Sequence, residues 1–311
     1  MVLVTGAGRG MGREHALLLA RRGARVVVSD RGVDLFGKGA DEGPAQETVE
    51  AIRAEGGEAL VCVEDLADPE GAARAVQATI TAYGRLDALA HNAGFTLGAA
   101  PFEEEALDRL ERQLAINTRA AFVLAREAWP LMLAQGYGRI VLAASTALYG
   151  LPGSAPYSTA KASYIGLARS LAAEGAGQGI KVNLVSPAGA TRMAHNMAES
   201  ELKSWFLANV QVNQVSPLVA LLCHEACPVN GELFVAGAGR IARTVIGETV
   251  GIVDPGMTVE DVLARMPEIL DQPVIAYPRT TGEALTHFMQ VMGFMPTAPI
   301  TSVGGRSDRE A

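Results

Sequence analysis

In the stretch "STALYGLPGSAPYSTAK", residues 145–161, Tyr157 and Lys161 stand four residues apart. On a helix that spacing puts both side chains on one face. A tyrosine hydroxyl has an unperturbed pKa of about 10, too high for a base near neutrality. A neighbouring ammonium stabilises the phenolate and is expected to lower that value, each pKa unit being worth about 1.4 kcal/mol. The pair predicts general acid–base chemistry, with Tyr157 exchanging the proton and Lys161 activating it. Ser145 can bond a substrate oxygen and hold it against Tyr157. Asn117, in "AINTRAAF", is awkward inside a long helical stretch. It is expected either to bend that helix or to bind a water that feeds protons to Lys161. Taken singly, each of the four is ordinary, because Tyr-x-x-x-Lys is a common surface pair. Their order, and the elements that carry them, decide the reading.

Apolar runs at residues 2–4, 25–29, 59–63, 88–91, 139–143, 181–185 and 233–235 alternate with longer stretches of helical period. Strands separated by helical segments require crossover connections. They predict an α/β domain over residues 1–240: a Rossmann-like, doubly wound parallel sheet of seven strands with helices on both faces. Residues 241–311 are expected to form a C-terminal extension packed on the core or on a partner subunit. Thr258 should cap a helix running to residue 270, and the last residues should be disordered.

The first strand runs into "TGAGRGMG", residues 5–12, and then into an apolar-faced helix. The spacing is T-G-x-x-x-G-x-G on Gly6, Gly10 and Gly12, with Arg9 and Met11 between them. Glycines there let the backbone approach a pyrophosphate and hand it to the free N–H groups of the helix N-terminus. Asp30 ends the second strand, 18 residues beyond Gly12. A carboxylate at that place accepts both ribose hydroxyl protons and repels a 2′-phosphate, so NAD is expected and NADP is the second choice. Arg9 and Arg31 are the opposing signals, since a guanidinium can bond a 2′-phosphate bidentately; Arg31 is read as a solvated loop residue. Asp65, followed by Leu66 after the third strand, can accept from an adenine amino group. Asn92, Ala93 and Gly94 follow the fourth. All lie at strand C-terminal ends, where open α/β sheets bind ligands.

Composition sets the outer limits. The chain has 311 residues, 49% of them hydrophobic and 19% charged, with a net charge of −8. That is ample for a buried core, and without a long basic run it argues against nucleic acid or an anionic membrane as partners. Three cysteines are too few for a disulfide framework, and with no apolar run long enough for a membrane span the expected location is the cytoplasm. Cys223, His224 and Cys227 have helical spacing but supply only three local ligands, so no metal site is expected. Met193, Met197, Trp205 and Phe206 lie in a segment suited either to lidding an apolar ligand or to packing as an ordinary surface helix.

With these motifs in this order, residues 1–240 resemble the short-chain dehydrogenase/reductase family. The resemblance implies a tetrad of Asn117, Ser145, Tyr157 and Lys161, with Lys161 also on the nicotinamide ribose and the backbone of Pro187 and Ala188 on the carboxamide. Many family members have Pro-Gly where this chain has Pro187-Ala188. The insertion after the second strand, together with "SPAGATRM" and "CHEACPVNGELFVAGAGRIARTVIGETVG", is similar to the dehydrogenase domains of multifunctional β-oxidation enzymes. It implies hydride transfer between NAD and a secondary alcohol, first a (3R)-3-hydroxyacyl-CoA, with a 17β-hydroxysteroid or other alicyclic alcohol as the alternative. It also implies a homodimer or homotetramer. A non-catalytic NAD-binding regulator on the same fold is the contrasting class, but a sensor has no need of the Tyr157/Lys161 pair.

Overall fold

Strand β1 (Val2–Thr5) shows how the sequence builds the sheet. All four residues are buried, and successive side chains point to opposite faces. Val2 and Val4 join one apolar cluster, with Leu17 and Leu19 of α1 (Gly10–Arg21), Val49 and Ile52 of α2 (Gly43–Ala54), and Val219 and Leu222 of α9 (Ser216–Cys223). Leu3 joins the other, with Val76 of α3 (Pro69–Tyr83), Leu124 and Met132 of α5 (Ala120–Gln135), and Tyr164 of α6 (Ala155–Glu174). A strand covered on both faces reads as a continuous apolar run, which is the sequence pattern of a parallel sheet.

The computed structural model describes residues 1–195, 199–295 and 297. It divides into two units, Met1–Arg243 and Thr244–Ala311. In the first, β1 is flanked by β2 (Val26–Ser29) and β4 (Ala88–His91). The full order is β3-β2-β1-β4-β5-β6-β7-β8, with β3 at Ala59–Cys62, β5 at Gly138–Ala143, β6 at Ile180–Pro187, β7 at Leu233–Gly237 and β8 at Arg240–Thr244. The first seven strands pair in parallel.

The sheet therefore has eight strands, not the seven expected. The eighth returns from β7 through the two residues Ala238 and Gly239, a connection so short that the pair must be an antiparallel hairpin. Both turn residues have positive φ, 51° and 75°, as the tight hairpin turn demands. The strand was illegible because "RIART" lies on the sheet edge with its side chains largely in solvent, and so carries no apolar alternation.

Arg139, on β5, is 5% exposed. Its guanidinium donates to four carbonyls: Gly138 (2.7 Å), Gly179 (2.8 Å), His224 (3.1 Å) and Glu225 (3.2 Å). It also lies 4.3 Å from the centroid of the Tyr137 ring. The last two carbonyls close the C-terminal end of α9, where a cation is favoured. Arg139→Ala is expected to lower stability by about 2–4 kcal/mol, because several buried acceptors lose their donor together. Urea unfolding measures this, and a loss below ~1 kcal/mol would show that the carbonyls find other partners.

The second unit holds an antiparallel pair, β9 (Glu248–Thr249) with β10 (Val274–Ala276), and helices α10 (Val259–Leu270) and α11 (Thr281–Val291). Thr258 caps α10 as expected, accepting the Asp261 N–H at 3.2 Å. The disordered end expected from sequence lies outside the described residues. Among those residues no single helix is long and apolar enough to cross a membrane. One bent pair, Glu201–Asn209 with Val212–Cys223 at 62°, has the length and composition only when taken together.

Candidate active site

The chain order reverses between β1 and β4, and the C-terminal ends of these strands open the crevice where doubly wound sheets bind ligands. Gly6 follows β1 with φ 65°, and a Cβ on it would sit 2.8 Å from the backbone of Ala93. A Cβ on Gly12 would lie 2.1 Å from the Gly6 carbonyl oxygen. These positions accept only glycine, and the result is a shallow backbone cradle. Helix α1 starts at its rim, with Arg9 extended as N-cap, no side chain capping it and no acidic residue in its first turn. Its free N–H groups and dipole suit a pyrophosphate. Met11 packs toward Gly189, whose Cβ would sit 3.0 Å from the Met11 sulfur.

The neighbouring loop after β4 is tied to β1. Thr5 Oγ1 accepts the Ala93 N–H at 3.1 Å and pairs with His91 Nδ1 at 2.8 Å. Burial pushes the His91 pKa down to about 3, so the ring stays neutral. Asn92 Nδ2 donates to the Gly6 carbonyl at 3.4 Å. Pro187 ends β6 across the same crevice, and the Ala188 N–H donates to the Ala236 carbonyl at 2.7 Å.

At the far end, the Asp30 carboxylate receives N–H groups from Gly8 (2.8 Å) and Gly32 (2.7 Å). It joins the glycine loop to the insertion, residues 31–43. Arg9 pairs with Asp41 at 3.4 Å. Arg31 pairs with Asp65, whose other oxygen accepts the Ala67 N–H at 3.0 Å. Arg31 is exposed in the loop, as expected, and is in addition an ion-pair partner. Leu66 is 6% exposed and packs in the core beside it. The insertion is braced from the opposite side, since Arg112 of α4 (Leu107–Gln113) donates to the Phe36 carbonyl at 2.8 Å and Arg192 reaches that of Val33 at 3.4 Å.

The four residues singled out for acid–base chemistry come together past β5. Ser145 caps the single turn Thr146–Tyr149, accepting the Ala147 N–H at 3.1 Å. Tyr157 stands in the first turn of α6, its phenol close enough to the Ser145 hydroxyl for the serine to favour the ionised form. One turn on, Lys161 is buried and donates to the Ala143 carbonyl at 2.7 Å. Its Nζ lies 5.9 Å from the Tyr157 ring centroid and 4.9 Å from that of Tyr164. Asn117 lies in a π-helical segment, Leu114–Arg119, which interrupts what the sequence suggested was one helix. Thr118 ties this segment to α6 through the Ala160 carbonyl (3.2 Å) and the Ser163 hydroxyl (3.1 Å).

One expectation is corrected. Burial pushes the Tyr157 pKa up, with only the Ser145 bond opposing it, while burial lowers Lys161 to about 7. Desolvation dominates at both buried groups. A further positive charge beside the phenol is what would bring it toward neutrality.

The remaining sequence candidates fall outside this cluster. Cys223 and Cys227 are buried, and His224 accepts the Ala226 N–H at 3.1 Å as a helix cap. Among the described residues no group of three metal-ligating side chains forms. His15 is buried against Ser216 at 2.8 Å. In α8 (Glu201–Asn209) Trp205 is 54% exposed and Phe206 half-buried, so this helix buries no clear apolar face; Met197 lies outside the described residues. Gln113, buried one turn before Asn117, is not legible from sequence, because its burial is a property of the packed site.

Residues 1–202 match the family model for short chain dehydrogenases. The chain belongs to the short-chain dehydrogenase/reductase family, and its site is that of an oxidoreductase built around a nicotinamide cofactor and a small-molecule substrate. Among its relatives is the peroxisomal multifunctional enzyme type 2 of Mus musculus, 34% identical across 94% of this chain and 39% of the mouse protein. Another is the peroxisomal hydratase-dehydrogenase-epimerase of Saccharomyces cerevisiae, 34% identical across 87% of this chain and 30% of the yeast protein. The chain therefore spans well under half of either relative. A short chain dehydrogenase from Mycobacterium avium is similar in structure, with a TM-score of 0.75 and 32% identity, covering 89% of this chain and 97% of that one.

Proposed function

We propose that the chain oxidises a (3R)-3-hydroxyacyl-CoA to the 3-ketoacyl-CoA with NAD. The observation that carries the chemistry is the convergence of Ser145, Tyr157 and Lys161 beside the glycine cradle. The cradle of Gly6, Gly10 and Gly12 with the N-terminus of α1 would hold the pyrophosphate, Asp30 the adenosine ribose, and the Asn92–Gly94 loop with Pro187 and Ala188 the nicotinamide end. When bound, the oxidised nicotinamide supplies a hydride acceptor and a positive charge. Ser145 holds the substrate hydroxyl, Tyr157 takes its proton, and Lys161 with Asn117 passes that proton on.

The substrate class rests on likeness over nearly the whole chain, including the insertion at residues 31–43, to enzymes that unite a dehydrogenase with other activities. In a protein named for a hydratase and a dehydrogenase, the first makes an alcohol by adding water and the second can oxidise it. The test is NADH formation from NAD with (3R)- and (3S)-3-hydroxyacyl-CoA side by side. Turnover of the R isomer alone is expected. If neither isomer reacts while an alicyclic alcohol such as a 17β-hydroxysteroid does, the acid–base site stands and the substrate class is wrong.

A further inference from the structure

Tyr157, Lys161 and Tyr164 follow one another along α6 at i, i+4 and i+7, so their side chains share one face and the ammonium stands between two aromatic rings. It lies over the Tyr164 ring, 4.9 Å from the centroid, and further from Tyr157, at 5.9 Å. Its hydrogen bond goes to the Ala143 carbonyl at 2.7 Å. Among the described residues no carboxylate pairs with Lys161, and burial draws an ammonium so lightly partnered toward its neutral form. A ring face opposes that pull, because the quadrupole of an aromatic ring is negative there.

The Tyr164 ring is fully buried and meets the His91 ring edge to face, with centroids 6.3 Å apart and planes at 62°. His91, which is neutral, is itself held by Thr5 of β1 at 2.8 Å. The Tyr164 hydroxyl has no hydrogen-bond partner, and burial pushes its pKa up, so it keeps its proton and is no second base. The ring, and not the oxygen, is what this residue offers Lys161. Charged groups on the other elements packed against α6 are engaged elsewhere: Arg109 of α4 with Glu105, Arg119 of the π-helical segment with the Ala67 carbonyl, and Lys181 of β6 with the Cys227 carbonyl. Tyr149, on the turn after β5, is exposed. Resting on the assignment of Tyr157 and Lys161 as the acid–base pair, we propose that Tyr164 is a positioning residue whose ring face holds the Lys161 ammonium, in its charged form, beside Tyr157. Support then passes from Thr5 through His91 and Tyr164 to Lys161, and the strand that leads into the glycine cradle also backs the acid–base pair.

The experiment locates the limb near pH 7 in kcat against pH for wild type, Tyr164→Phe and Tyr164→Leu, with whichever secondary alcohol the wild type oxidises, and NADH affinity by fluorescence as the control for folding. Tyr164→Phe keeps the ring face and should leave the limb where the wild type has it. Tyr164→Leu keeps the site apolar but removes the face, and should move the limb down by about one pH unit, tenfold in the ionisation constant. The sign is decisive, because a site merely loosened by the change would admit water and move the limb up, toward the ordinary lysine value. Where Tyr164→Leu fails to fold, Tyr164→Phe carrying successive ring fluorines weakens the face at nearly constant shape, and the limb should step down with each fluorine. A limb that stays or rises in Tyr164→Leu, or is indifferent to fluorine, would overturn the proposal and leave the acid–base reading intact. A limb that persists in Lys161→Met, or a wild type that oxidises no secondary alcohol, would overturn that reading and the proposal with it.

Discussion

Tyr157→Phe is expected to lower kcat about a thousandfold while leaving NADH affinity within about twofold. General acid–base catalysis by a positioned side chain is worth roughly 10²–10⁴ in rate. The substitution removes one oxygen and little else. Ser145 keeps its bond from the Ala147 N–H, so the cap of the turn survives, and the ring still packs in the first turn of α6. The pH profile gives a second readout. Because burial raises the Tyr157 pKa, oxidation by the wild type should quicken as pH rises. Burial lowers Lys161 to about 7, so a limb near that pH should be present in the wild type and absent from Lys161→Met. Stopped-flow detection of NADH formation measures both, and a Tyr157→Phe enzyme within tenfold of wild type would remove the tyrosine from the chemistry.

Asp30→Ala is expected to shift the ratio of kcat/KM for NAD over NADP by about a hundredfold toward NADP, or ~2.7 kcal/mol. Two effects add. The carboxylate that would accept ribose hydroxyl protons is lost, and so is the negative charge that repels a 2′-phosphate. Arg9 and Arg31 lie close by and are engaged with Asp41 and Asp65. Asp30 also holds Gly8 and Gly32, so the absolute rate with NAD should fall as the glycine loop loosens. Steady-state kinetics with both cofactors check this, and Asp30→Asn, whose amide can accept from only one of Gly8 and Gly32, removes the charge with one of the two loop bonds. A wild type already more efficient with NADP would refute the assignment.

The strands that could be read from sequence were those buried on both faces, such as Val26-Val27-Val28, where apolar residues leave no ambiguity. The glycine cradle was equally legible, since close backbone approach tolerates one residue type. What escaped depended on solvent or on distance. β8 carries charged residues on an open edge, and its turn uses Ala238 where Asn or Gly would have signalled a hairpin. The ion pairs of Arg9 and Arg31 join residues 32 and 34 positions away, across a loop whose path no local pattern describes. Asn117 was legible as a misfit in a helix, but the π-helical segment that accommodates it needed the contacts of Thr118 with α6. Tyr157 and Lys161 were found by spacing. Their burial, which reverses the expected sign of the tyrosine shift, is a property of the packed site.

The two ion pairs at the adenosine end lie in the open: Arg9 and Asp41 are 38% and 59% exposed, Arg31 and Asp65 41% and 39%. Fields between such charges fade over about 8 Å at physiological ionic strength and over about 3 Å at 1 M. The contact of Asp30 with a ribose would be too short for salt to screen. Cofactor choice should then have a fixed part and a medium-dependent part. Raising the salt concentration would release Arg9 and Arg31 from their partners while weakening their own pull on a phosphate. The same polypeptide would therefore show a coenzyme selectivity that varies with the ionic strength around it, with no change in its fold.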